Sequence, residues 1–144
     1  MADTLVKALF TNFISSSGAV ASHSYDTLPD NDQTALTANA SADTFGSYAA
    51  LATTVGSADV WLCGALNTDG SVDTDGKVEL ATGASGSETA KIVMPHNGTA
   101  EVNWAFPFPL RVPSGTRLAG RIKTGDTTAG TIDSIAFYAT GLSG

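Results

Sequence analysis

Eleven consecutive residues alternate without error. Val102, Trp104, Phe106, Phe108, Leu110 and Val112 fall on one side, and Asn103, Ala105, Pro107, Pro109 and Arg111 on the other. A period of two over that length predicts a pleated strand with one buried face. Proline has no N–H, and alternate residues of a strand point their N–H groups to the same edge. Pro107 and Pro109 therefore strip donors from one edge, while Phe106, Phe108 and Leu110 keep theirs on the other. Such a strand pairs on one side only, as a protected edge strand, or bends away from its sheet.

The rest of the chain follows the same style from Ser47 onward, with short apolar runs between Gly- and Asp-rich breaks. That spacing predicts an all-β antiparallel sandwich or barrel. Ala58 to Asn67 is apolar on both faces and suits a central strand. Further strands are expected at 47–55, Lys77–Leu80, Glu88–Met94, Thr116–Lys123 and Thr131–Thr140. In the fourth, Leu118, Gly120 and Ile122 face inward and Arg117, Ala119, Arg121 and Lys123 outward. The last, with Ile132, Ile135, Phe137 and Tyr138, does not alternate cleanly, so a bulge is expected near Asp133 and Ser134. Asn67-Thr68-Asp69-Gly70 and Asp73-Thr74-Asp75-Gly76 read as Asp-Gly turns of a polar hairpin, with positive φ at glycine. Asn97-Gly98 reads as another hairpin turn, and residues 15–47 as small and polar around a Pro29-to-Asp32 turn.

Residues 1–15 form either an N-terminal arm or a first strand, ahead of a single β-sandwich domain over 16–144. Leu5, Val6, Leu9, Phe10, Phe13 and Ile14 fit helical spacing, but in an otherwise β chain they read rather as a strand buried on both faces. Ala19-Val20-Ala21 has the small-residue look of a signal cleavage site, but Asp3, Lys7, Thr11 and Asn12 interrupt the run before it, so secretion is not expected.

Composition excludes several classes. The net charge is −7, and an acidic chain repels a phosphate backbone, so no nucleic acid is expected as partner. No apolar run approaches the ~20 residues that cross a bilayer. Gly, Ala, Ser and Thr supply 70 residues, and Leu, Ile, Val and Phe only 31. A core that thin is expected to lean on a partner chain for part of its burial. The single cysteine, Cys63, lies in the most apolar strand, where it reads as a small buried hydrophobe in a chain that folds in the cytosol.

Candidates for chemistry are few. His23 and His96 sit in no recognisable nucleophile motif, and no enzyme activity or cofactor is expected. Asp69, Asp73 and Asp75, with Asn67, crowd enough oxygen ligands to make a weak calcium candidate, although the spacing does not fit an EF-hand loop. Arg111, Arg117, Arg121 and Lys123 fall within thirteen residues that contain no acid, while all fourteen acids lie elsewhere. This patch is either a docking surface for an acidic partner or a neighbouring copy, or a solvated face paired with nearby aspartates. On the docking reading, reversing the charge of Arg117 and Arg121 is expected to weaken assembly and leave the fold intact.

Pro109-Leu110-Arg111-Val112-Pro113-Ser114-Gly115-Thr116-Arg117-Leu118-Ala119-Gly120-Arg121-Ile122, followed by Thr131-Ile132-Asp133-Ser134-Ile135-Ala136-Phe137-Tyr138-Ala139-Thr140-Gly141, resembles small β-sandwich proteins from the structural modules of tailed bacteriophages. Capsid decoration proteins and tail or fibre components share this cadence. The resemblance covers about 35 residues. It implies a jelly-roll-like domain that forms homotrimers and stabilises the expanded head from outside. Its partner would be the major capsid protein, its place the virion surface, and its site of synthesis the host cytoplasm. Leu5 and Phe10 would then belong to an arm contacting the shell or a neighbouring subunit. The alternative is a fibre-tip or lectin-like module that binds a host-surface glycan. That needs an exposed aromatic platform; Trp104 lies in the buried alternation, and the other candidates, Trp61 and Tyr48, sit in apolar strands.

Overall fold

The computed structural model describes residues 24–30, 32–68, 70–98 and 101–140. Among them there is no helix, and nine strands are present: β1 (Ser24–Leu28), β2 (Thr34–Thr37), β3 (Ala49–Ala52), β4 (Val60–Thr68), β5 (Gly76–Thr82), β6 (Thr89–His96), β7 (Val102–Val112), β8 (Leu118–Thr124) and β9 (Thr131–Thr140). Every pairing is antiparallel. Sheet A runs β1–β9–β4–β7, with β2 also on β9, and sheet B runs β3–β8–β5–β6.

β1 and β2 are two halves of one edge. β1 lies against Ala136–Thr140 of β9 and β2 against Thr131–Ser134, so the pairing breaks between Leu28 and Thr34, opposite Ile135. Counted together they leave four strands per sheet, in the two-sheet order of a jelly roll. The expected antiparallel sandwich is therefore what the chain adopts. The arm-or-strand question over residues 1–15, including Leu5 and Phe10, lies outside the described residues.

The interior between the sheets holds Leu36, Leu51, Leu62, Val78, Leu80, Met94, Leu118, Ile122 and Ile132, all buried. Large side chains from one sheet need small ones opposite them. Gly120 of β8 meets that need, because a Cβ there would stand 3.1 Å from Leu51 and 3.2 Å from Leu36.

β7 is an edge strand of sheet A and pairs with β4 alone, as its prolines require. Its alternation is interrupted at one point. Leu110 is opposite Leu62 and Ala105 opposite Gly64, so Phe106–Pro109 bulge out where β4 offers only Cys63. Phe106 still reaches the core at 7% exposure, but Phe108 stands 64% exposed, against the expectation of an unbroken buried face. The two prolines cannot donate to a ladder, and the unpaired segment is free to turn Phe108 outward.

Other expectations need correction. β9 pairs continuously with β4 from Asp133 to Phe137, and the irregularity falls on β4 between Leu62 and Gly64, not at Asp133–Ser134. Ile135 and Phe137 are apolar because they join a second buried cluster on the outer face. The Asp-Gly segment after β4 is not a hairpin, since it carries the chain from sheet A to β5 in sheet B. Gly70 and Gly76 are not at positive φ. They are required by close approach, because a Cβ would overlap the carbonyls of Thr131 and Lys123. Asn97-Gly98 likewise joins β6 of sheet B to β7 of sheet A, with Gly98 at φ +34°. β1 and β2 were unexpected in the small, polar 15–47 stretch, where strands of five and four residues carry too little apolar pattern to register.

Candidate functional site

The outer face of sheet B carries the densest polar chemistry. β5 places Glu79 opposite Arg121 of β8. Arg121 Nε and Nη2 donate to Glu79 Oε1 at 2.8 and 2.7 Å, and the Tyr48 hydroxyl donates to the same oxygen. The loop before β3 runs along β8, with Gly46 N–H donating to the Ile122 carbonyl at 2.9 Å. That alignment sets Phe45 and Tyr48 against the Arg121 guanidinium, with ring centroids 4.4 and 4.3 Å away. Stacking and bidentate donation together fix a planar guanidinium that a lysine would not match. Burial first, then the bond to Glu79, pushes the Tyr48 hydroxyl up to about 12.

The remaining basic residues are also engaged. Arg117 Nη1 lies 2.5 Å from Glu88 Oε1. Burial opposes the Glu88 charge, but its own N–H, Arg117 and the Gly86 N–H outweigh it and hold the carboxyl below its ordinary value. Lys123 is 3.7 Å from Asp43. Arg111 lies on sheet A, 2.6 Å from Asp59. The Ser114 N–H and then Arg111 draw the Asp59 carboxyl below its ordinary value. Three of the four expected basic residues thus share one face and Arg111 stands apart. Each has an acidic partner within the chain. Charge reversal at Arg117 and Arg121 would bring carboxylates against Glu88 and Glu79, so it would carry a cost in stability beside any effect on assembly.

The calcium candidate falls partly outside the described residues. Among the described residues no group of three His, Cys, Asp or Glu side chains could hold a metal. Asp69 lies outside them, and Asp73 and Asp75 are exposed. Asn67 points into the interior, where its Oδ1 accepts from the Ser134 hydroxyl at 2.9 Å.

The aromatic candidates are occupied too. Trp104 packs against the core and its Nε1–H donates to the Pro95 carbonyl at 3.0 Å. Trp61 is half-buried and Tyr48 is stacked on Arg121. A cavity of about 360 Å³ opens between β2 and β3, lined by Ala35, Thr37, Asn39, Gly46, Ser47 and Tyr48 among others, with no carboxylate, imidazole or thiol in its wall. His96 is buried in β6.

Phe108 is the residue that sequence reasoning misplaced. Together with Val93 of β6, 48% exposed, it is one of two large apolar side chains open to solvent among the described residues. The signal was present in Phe106-Pro107-Phe108-Pro109, whose alternating prolines already forbid a regular ladder.

No protein-family model matches the chain, and no curated protein sequence matches it. Among solved structures, one titled as the structure of infectious bursal disease virus, Gx strain, is similar over 81% of this chain, with a TM-score of 0.40 and 15% identity. The chain spans about a third of that protein's length, with 32% covered. A likeness of that degree assigns neither family nor function.

Proposed function

We propose that the chain is a non-enzymatic structural protein of a virion, a decoration protein that binds the outer surface of an expanded phage head as a homotrimer. Its partner on this reading is the major capsid protein, and it reaches the capsid surface after synthesis in the host cytoplasm. The observation that carries the reading is Phe108, an exposed aromatic held in a proline-flanked bulge on the edge strand β7. A rigid apolar knob loses little conformational freedom on contact and suits adhesion through shape. The same prolines deny the edge to strand addition, so contacts stay discrete when many copies crowd one surface. A trimer would multiply weak contacts by engaging three sites at once.

The polar groups favour adhesion over reaction. The basic residues of sheet B are matched to Glu79, Glu88 and Asp43, and the hydroxyls of Thr37, Ser47 and Tyr48 in the cavity wall have no carboxylate, imidazole or thiol beside them in that wall. The glycan reading has less to stand on, because Trp104, Trp61 and Tyr48 offer no free platform.

Light scattering coupled to size exclusion tests the first step. A trimer that Phe108→Ser disperses is the expected result. Co-sedimentation with expanded but not unexpanded heads of the encoding virus tests the second. A chain that stays monomeric and ignores both forms of the head sinks the proposal.

A further inference from the structure

The two side margins of the sandwich are unlike. On one, β7 of sheet A lies beside β6 of sheet B, and the Trp104 Nε1–H donates across to the Pro95 carbonyl at 3.0 Å. On the other, β2 of sheet A lies beside β3 of sheet B, and the Thr34 hydroxyl donates to the Ala50 carbonyl at 3.2 Å. The first margin carries a knob. Phe108 stands 64% exposed on the bulge of β7, between Pro107 and Pro109. The second margin carries a hole, the cavity of about 360 Å³. Small residues, Ala35, Ala38, Ala40, Gly46 and Ala49, leave that space open around the ring of Tyr48. Gly46 can be nothing larger, because a Cβ there would overlap the Thr37 carbonyl. Tyr48 is held by its hydroxyl bond to Glu79 and its stacking on Arg121, so the wall is formed before anything enters it.

Knob and hole match in size and in charge. An apolar cavity of about 150 Å³ accepts benzene, so this one takes a phenylalanine ring with room for a flanking proline. Two copies of a chain at −7 repel each other unless the surfaces that meet are uncharged. The cavity wall holds no charged residue, and neither does the stretch of β7 from Val102 to Leu110. Pro107 and Pro109 lack the N–H groups that strand addition needs, so a partner at this edge engages side chains. We infer that Phe108 of one copy docks into the β2–β3 cavity of the next, joining copies of this chain head to tail. The inference rests on the self-association in the proposed function and names the contact that makes it. Because knob and hole lie on opposite margins the contact is heterologous, and it closes into a ring, as the trimer requires, or runs on as a filament.

The test places the photo-reactive p-benzoylphenylalanine at position 108 of the full chain and irradiates a mixture of isotope-labelled and unlabelled copies. Mass spectrometry of the cross-linked peptides then separates contacts between copies from contacts within one. The expected product joins position 108 of one copy to residues 35–49 of another. Ser47→Trp, which plugs the cavity from an exposed position, should lower its yield at least about tenfold while circular dichroism stays unchanged. Cross-links from 108 to residues 102–112 of a second copy mean a symmetric knob-to-knob contact and overturn the inference, although self-association would stand. Cross-links within single copies only, or none, overturn it as well. A second measurement needs no photo-reactive group. Light scattering at matched concentrations compares Phe108→Ser, Ser47→Trp and the double variant, and the double should lose no more association than either single, since both remove one contact. Additive losses, or a natural chain that stays monomeric at every concentration, overturn the inference. Viral heads enter neither readout, so the capsid reading stands or falls by its own co-sedimentation.

Discussion

Phe106 and Phe108 are the same residue type, two positions apart on β7, with opposite exposures of 7% and 64%. A phenylalanine side chain carries about 200 Å² of apolar surface, and burial stabilises by about 25 cal/mol per Å². Nearly all of that surface is removed from water at Phe106, for roughly 4–5 kcal/mol, and about a third at Phe108, for at most about 1.7 kcal/mol. Phe106→Ala also leaves a cavity in a packed interior, so about 3–5 kcal/mol is expected, against about 1 kcal/mol for Phe108→Ala. The corresponding melting shifts are about 10 °C and a few degrees for a chain of this length. Urea unfolding followed by the fluorescence of Trp61 and Trp104 measures both, at two protein concentrations so that any self-association through Phe108 is separated from folding. Equal losses for the two variants would refute the bulge at Phe106–Pro109 and restore an unbroken buried face.

Arg121→Ala strands the buried Glu79 carboxylate and should cost about 2–3 kcal/mol, discounted for the partial exposure of the guanidinium; Arg121→Met with Glu79→Leu should recover most of it, and a double variant as weak as the single refutes the pairing. The depressed carboxyls of Asp59 and Glu88 bind protons more readily unfolded than folded, so their contribution is complete above the ordinary carboxylate range and fades as pH falls through their lowered values. Urea melts between pH 5 and pH 3 should therefore flatten in an Asp59→Asn/Glu88→Gln variant, and an unaltered slope counts against both ion pairs. Gly120→Val should cost about 1–3 kcal/mol by overpacking Leu36 and Leu51, read from the same melts, and a neutral effect shows that the two leucines can move aside. Added calcium should leave the melting temperature unchanged; a rise of several degrees would reinstate a site around Asp73 and Asp75.

Most strands were legible because alternation survives wherever one face is buried. Leu118, Gly120 and Ile122 point inward on β8, and Ala58–Asn67 yields the interior strand β4, as their patterns imply. β1 and β2 were not legible, because five and four residues (Ser24–Leu28 and Thr34–Thr37) are too few to show a period, and a ladder is satisfied through backbone groups that any sequence carries. The basic cluster was legible as charge but not as chemistry. Its partners Glu79, Glu88, Asp43 and Asp59 lie 29 to 80 residues away and meet it only when the strands pair.

The order of residues by itself determined that this chain makes sheets, that β7 ends one of them, and that its interior is small. Local side-chain period and missing donors act within a few residues and need no partner. Tertiary structure decided that Phe108 faces solvent, that Cys63 is the bulge residue, and that every arginine meets an acid. Those outcomes depend on which strand lies opposite. A register is a property of two segments, and neither one contains it.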